Sequence, residues 1–365
     1  MLDWPVRVQR RKYDIMRTNK KSFTSFLCRR CFVGKVFILL VLFALPQVTH
    51  SSPDLWRKFG WENTDFSKHS ISFDEIFMGI QLPSGLSSKD RIPAIDEPAF
   101  IPLVEVNNIS ATSPVVSVVF GEDARAYPLA ILTWHEIVND TVGGVPIVVT
   151  YCPLCNAALV FRRTLNGQVL DFGTSGMLRN SDLVMYDRQS DTWWQQFTGE
   201  AIVGEMTGQV LSGVPARLES FERFAAQYPN GKVLVPNDPE HRRYGDNPYV
   251  GYDSAAVPFL YRGVILSNIE PMARVIMVAT NAGMEGVSLD HLKKVGDVKL
   301  GEVLISWMPG QNSALDAALI NEGRDVGNVI AQRVSKNGLV DVVYHVTFAF
   351  AFHAFHPDGK ILNDS

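Results

Sequence analysis

Cys152 and Cys155 are the only cysteines between residues 52 and 365; Cys28 and Cys31 lie in a basic N-terminal head. Two thiols separated by Pro-Leu suit three kinds of chemistry. They can cycle as a dithiol and disulfide, hold a soft metal ion, or close an inert bridge. Pro153 keeps Cys152 extended and tightens the turn toward Cys155. The small ring of a Cys-x-x-Cys disulfide makes it exchangeable. The stretch that follows, Asn156 to Arg163, reads as a turn and a strand. A thioredoxin-like motif instead opens a long helix that lowers the thiol pKa, so that form of activation is not expected.

His135 stands on a short helix just upstream of the cysteine strand, where it can serve as a base or as a third metal ligand, or be hydrogen-bonded under a loop. Asp140 can orient it or cap a turn. Arg179, Asn180, Ser181 and Asp182 form a polar cluster after Gly173-Thr174-Ser175-Gly176. They suit an anionic group or the satisfaction of loop backbone. Trp193 and Trp194 suit a cleft wall or a packed core. His353 and His356 have ligand-like spacing only on a helix. Copper or zinc is the cofactor class the thiols would take; Cys152, Cys155 and His135 are its candidate ligands. Walker, dinucleotide-binding, nucleophile-elbow and His-Glu-x-x-His signatures are absent.

The elements that position these residues read as mainly β with short peripheral helices, a β-rich α+β chain. Val115 to Phe120 and Val145 to Tyr151 are strands, the second ending at the cysteines. Between them Pro128 opens a helix carrying Leu129, Leu132 and His135, closed by Asn139-Asp140 and Gly143-Gly144. Asn166-Gly167 marks a hairpin. Ser220 to Tyr228 is helical, stopped by Pro229. Val342 to His353 reads as one alternating strand, with Val342, Tyr344, Val346, Phe348, Phe350 and Phe352 facing the core. The stretch Tyr151-Cys152-Pro153-Leu154-Cys155-Asn156 aligns with Trp307-Met308-Pro309-Gly310-Gln311-Asn312. Leu129 and Leu132 likewise align with Leu289 and Leu292. Two related strand–helix–strand lobes from an internal duplication are expected, at 101–235 and 236–365, after an irregular lead-in at 52–100. The second copy has Met308 and Gln311 at the cysteine positions, so the corner can be built without sulfur.

Charge separates the head from the body. Residues 1–51 carry ten Lys or Arg against two acids, a net +8; the whole chain is −4, which leaves −12 for residues 52–365. An acidic body argues against nucleic acid as partner. The head, with its apolar run Val36 to Leu45 and small residues near Ser51, reads as a signal peptide starting at Met1 or Met16. Arg29-Arg30-Cys31-Phe32-Val33-Gly34-Lys35 resembles a twin-arginine export signal; a general secretory signal is the other reading. The expectation is an exported, periplasmic or extracellular protein without a stable membrane span after cleavage. Its partner would be a redox protein or a small molecule.

Several motifs together resemble the DUF3179 family. They are Trp134-His135-Glu136-Ile137-Val138-Asn139-Asp140, Thr150-Tyr151-Cys152-Pro153-Leu154-Cys155, Arg179-Asn180-Ser181-Asp182-Leu183 and Tyr186-Asp187-Arg188. Gly199-Glu200-Ala201, Asn247-Pro248-Tyr249 and Pro309-Gly310-Gln311-Asn312-Ser313-Ala314 fit as well. The resemblance spans roughly residues 69–362. It implies a bacterial or archaeal protein, often exported, without an assigned reaction. Some relatives carry selenocysteine in the cysteine motif, which implies redox chemistry there.

Overall fold

The computed structural model describes residues 52–364 apart from 81, 82, 84, 85 and 337. The signal segment expected over residues 1–51 lies outside the described residues.

From Pro114 the chain runs β1 (Pro114–Phe120), β2 (Asp123–Pro128), α1 (Leu129–His135), β3 (Ile137–Val142), β4 (Val145–Cys152) and β5 (Ala157–Arg162). A hairpin follows, β6 (Phe172–Arg179) and β7 (Asp182–Asp187), then β8 (Arg217–Ser220), α2 (Phe221–Gln227) and β9 (Lys232–Val235). The rest of the chain supplies β10 (Arg274–Thr280), β11 (Gly283–Ser288), α3 (Leu289–Val295), β12 (Asp297–Leu300), β13 (Val303–Met308) and β14 (Asn328–Ser335). It ends with β15 (Tyr344–Phe348), α4 (Ala349–Phe355) and β16 (Lys360–Leu362). Strands dominate and the helices are short. Among the described residues no helix is long and apolar enough to cross a membrane.

Two sheets share one pairing pattern. In the order β8-β1-β2-β9 the first two pairings are antiparallel and the third parallel. The order β15-β10-β11-β16 repeats the same senses. Each sheet hands over to a seven-residue helix, α1 or α3, and then to an antiparallel ladder, β3-β4-β5 or β12-β13-β14. The two halves share one core. Val116, Leu129, Leu132, Val149 and Tyr151 pack in the same apolar cluster as Ile276, Leu289, Leu292, Ile305 and Tyr344. Each fully buried aliphatic side chain of this kind contributes about 1.5–3 kcal/mol.

Three expectations change. Residues 52–100 do more than lead in: strand Ile76–Met78 pairs with β6, and Ala99–Pro102 with β9. Trp56 and Trp61 stack edge-on against Trp193, at 4.9 and 5.2 Å between ring centroids. Trp193 and Trp194 are fully buried core residues, in keeping with the packed-core reading. The helix α1 stops at Glu136, not at Asn139-Asp140, which lie in β3; Gly143 and Gly144 form the β3–β4 turn, both at positive φ as a two-residue type I′ turn requires. The alternating run from Val342 breaks at Phe348, after which Ala349–Phe355 is helical and carries His353. The repeat Ala-Phe-Ala-Phe satisfies strand and helix periods alike, and docking decides for the helix.

Candidate functional site

The cysteines sit where β4 turns into β5. Cys152 pairs with Ala157, and Pro153, Leu154, Cys155 and Asn156 make the connection. Asn156 takes a left-handed φ of 51°, and its N–H closes the turn on Pro153 O at 3.2 Å. Asparagine tolerates that backbone better than most residues. The turn is clamped from β15: Cys155 O accepts from Thr347 Oγ1 at 2.8 Å and from Phe348 N at 3.2 Å. Asn156 Nδ2 donates to Val346 O at 2.9 Å. Both thiols are free and buried. No helix begins at the motif, as the sequence indicates.

The polar cluster after Gly176 is the tip of the β6–β7 hairpin. Arg179 pairs with Asp182, so Asn180 and Ser181 form a two-residue turn with φ of 52° and 64°. This turn lays the Ser181 carbonyl on the thiols, accepting from Cys155 Sγ at 3.5 Å and Cys152 Sγ at 3.8 Å. The next residue, Asp182, is fully buried. One of its carboxylate oxygens and the two sulfurs all lie within 4.8 Å of one another. Asp182 Oδ2 accepts from Gln195 Nε2 at 2.7 Å and from Phe197 N at 2.9 Å, while Oδ1, which faces the thiols' side of the cluster, has no geometric hydrogen-bond partner among the described residues. Arg179 supports this from behind: it pairs with Glu75 at 2.7 Å and donates to Gln195 Oε1 at 3.4 Å. Asn180 and Ser181 therefore serve the cysteine site through the turn, and Arg179 through Gln195.

Burial dominates the electrostatics. It pushes Asp182 up to about 7 even though its hydrogen bonds pull the other way. Burial, and then the charge of Asp182, pushes Glu136 up to about 8. Both thiols are raised by burial, Cys155 well above the usual thiol range. Burial thus favours the protonated thiols, and the carboxyl packed with them, Asp182, changes charge near neutrality. A side chain from further along the chain fastens the cysteine turn: Tyr252 OH donates to Leu154 O at 3.0 Å and accepts from Phe259 N at 3.3 Å. Ser181 Oγ hydrogen-bonds Phe259 O.

The remaining candidates stand apart from the donor cluster. His135 uses both ring nitrogens elsewhere, with Pro93 O and Tyr244 OH each at 2.7 Å. It is not among the clustered donor atoms, which come from Cys152, Cys155 and Asp182. Asp140 is a structural anion, bidentate to Arg125 Nη1 at 2.7 and 2.8 Å and accepting from Tyr127 OH at 2.6 Å. Glu136, next to His135, gives little signal in the sequence, because an acidic residue after a short helix usually faces water.

Two thiols and a carboxyl inside a mainly β protein can exchange disulfides or hold a soft ion. The chain belongs to the DUF3179 family, described as protein of unknown function, whose model matches residues 89–359. No curated protein and no solved structure matches the chain.

Proposed function

We propose that the protein is a thiol–disulfide redox protein in which Cys152 and Cys155 form a reversible pair served by Asp182. The observation that carries this reading is the packing of both sulfurs and one Asp182 oxygen within 4.8 Å, with that carboxyl raised to about 7. The Cys152 thiol passes its proton to a carboxylate and attacks one sulfur of a partner disulfide. The other sulfur leaves as a thiolate and takes up a proton. The Cys155 thiol, deprotonated in turn, attacks Cys152 in the mixed disulfide and releases the second partner thiol. One partner disulfide is reduced to two thiols as the protein dithiol is oxidised, with no net proton change. A peroxide is the alternative oxidant.

A redox titration in glutathione buffers tests this, followed by Cys152→Ser and Cys155→Ser. Cys155→Ser should trap a mixed disulfide, and Cys152→Ser should abolish exchange. A bridge still closed below about −300 mV would mark a structural disulfide. One equivalent of tightly bound copper or zinc in the purified protein would assign the same donors to a metal centre instead.

We further infer that the two sheet-and-ladder units descend from a duplication, a reading supported by their matching strand senses. We infer too that the chain is exported after signal removal near Ser51; N-terminal mass analysis of protein from its host tests that.

A further inference from the structure

Residues 255–271 carry neither helix nor strand. A loop of that length in a packed protein is usually a lid or a binding loop. Both ends are pinned. Asp253 accepts from Arg274 Nη2 at 3.1 Å and from Arg324 Nη1 at 2.9 Å, and Pro271 O accepts from Phe350 N at 3.0 Å. The middle is held far less. From Ala256 to Ile269, among the described residues, no backbone group bonds to another backbone group. Val257, Phe259, Val264 and Ile265 are exposed, so burial does little to keep the segment down. Leu260 takes a left-handed φ of 55°, which is unfavourable for a residue with a Cβ unless its surroundings hold it. An open cavity of about 540 Å³ lies inside the loop against Val257, Pro258, Ile265 and Leu266, so the segment is not packed solid on itself.

What holds the middle is the dithiol site. Phe259 N donates to Tyr252 OH at 3.3 Å, and Phe259 O accepts from Ser181 Oγ. Tyr252 OH donates in turn to Leu154 O, between the two cysteines. Ser181 O is the carbonyl to which both thiols donate. The sulfurs thus lie between the cysteine turn and the hairpin tip, and Phe259 joins the two. Tyr261 packs on Phe350 with 5.0 Å between ring centroids. Tyr261 and Ile269 also pack against the apolar cluster that contains Cys152, Leu154 and Cys155. Cys152 is 2% exposed and Cys155 0%. A disulfide or peroxide reaches neither sulfur while these contacts hold.

We propose that residues 255–271 are a lid over the dithiol, latched at Phe259 and strained at Leu260, whose opening admits the oxidant. This inference rests on the redox reading above and adds that access governs when the pair reacts. The pins at Asp253 and Pro271 stay in place, so the opening is local and leaves the sheets intact.

Labelling of the reduced protein with iodoacetamide tests it, across urea concentrations below the unfolding midpoint, beside exchange with cystamine. Opening a lid exposes little surface, so the wild-type labelling rate should hardly change with urea in that range. Ser181→Ala removes the bond to Phe259 and should speed labelling about fivefold. Tyr261→Ala strips the ring from Phe350 and should speed it about tenfold or more. Leu260→Asn suits the left-handed backbone and should slow it severalfold, a sign that general loss of stability cannot produce. Cystamine exchange should follow the same order. Labelling that rises with the full slope of unfolding, or that all three variants leave unchanged, overturns the lid; the redox reading then stands wherever cystamine still exchanges. Labelling that follows the variants in a protein that does not exchange with cystamine upholds the lid and removes the redox reading.

Discussion

Cys155 and Ser181 are 26 residues apart in the chain, yet the thiol of one donates to the carbonyl of the other at 3.5 Å. The contact depends on a turn in which Ser181 holds a φ of 64°. A β-branched residue resists that backbone strongly. Ser181→Val should therefore destabilise the protein by about 1–3 kcal/mol in urea unfolding. It should also speed alkylation of both thiols by iodoacetamide. Unchanged alkylation would mean that the turn does not shield them.

Asp182 ties stability to pH in an unusual direction. Below about 4 its carboxyl is protonated in both folded and unfolded chains. From there to about 7 the unfolded carboxyl ionises while the buried one keeps its proton, so stability falls as pH rises. Above about 7 both are ionised and the loss is complete, at about 1.4 kcal/mol for each tenfold difference in proton affinity between the folded and unfolded carboxyl. Asp182→Asn should match wild type near pH 4 and be the more stable protein above pH 7. Parallel pH–stability curves for the two would contradict this.

Tyr252 bridges the cysteine turn and the segment bearing Phe259 with one hydroxyl. Removing it as Tyr252→Phe should cost about 1 kcal/mol. Alkylation of Cys155 should become severalfold faster, because the two strands of chain then part more easily. The check is the labelling rate of Cys155 in a Cys152→Ser background.

His135 and Asp140 lie outside the donor cluster and hold the scaffold, and their variants should show it. Asp140→Asn strips the charge that Arg125 faces bidentately and should cost about 3 kcal/mol. His135→Ala should cost about 1–3 kcal/mol by leaving Pro93 O and Tyr244 OH without their partner. In both, exchange measured below the unfolding midpoint should stay within about twofold of wild type. A collapse of exchange in folded His135→Ala would return the histidine to the chemistry.

Much of this site is legible in residue types, and the limits have physical causes. The strand ending at Cys152, the turn without a helix and the Asn166-Gly167 hairpin follow from local preference. Asp182 is visible in the sequence only as one member of a polar cluster, because its burial depends on how Gln195 and Phe197 pack across the sheet. Asn180-Ser181 carries no glycine, so its turn type is hidden. The run after Phe348 is ambiguous in itself, since its phenylalanines suit either period.

The cysteine turn is fastened by Val346, Thr347 and Phe348, some 190 residues downstream of Cys155 and Asn156. A ribosome must therefore add more than half of the chain after the cysteines before their clamp can form. Until β15 arrives, the two thiols belong to an unfinished edge that any oxidant can reach. At a usual pace of about 5–20 residues per second, that interval is on the order of ten seconds or more. The cysteines are thus most open to wrong pairing before β15 is in place, and least once it has docked.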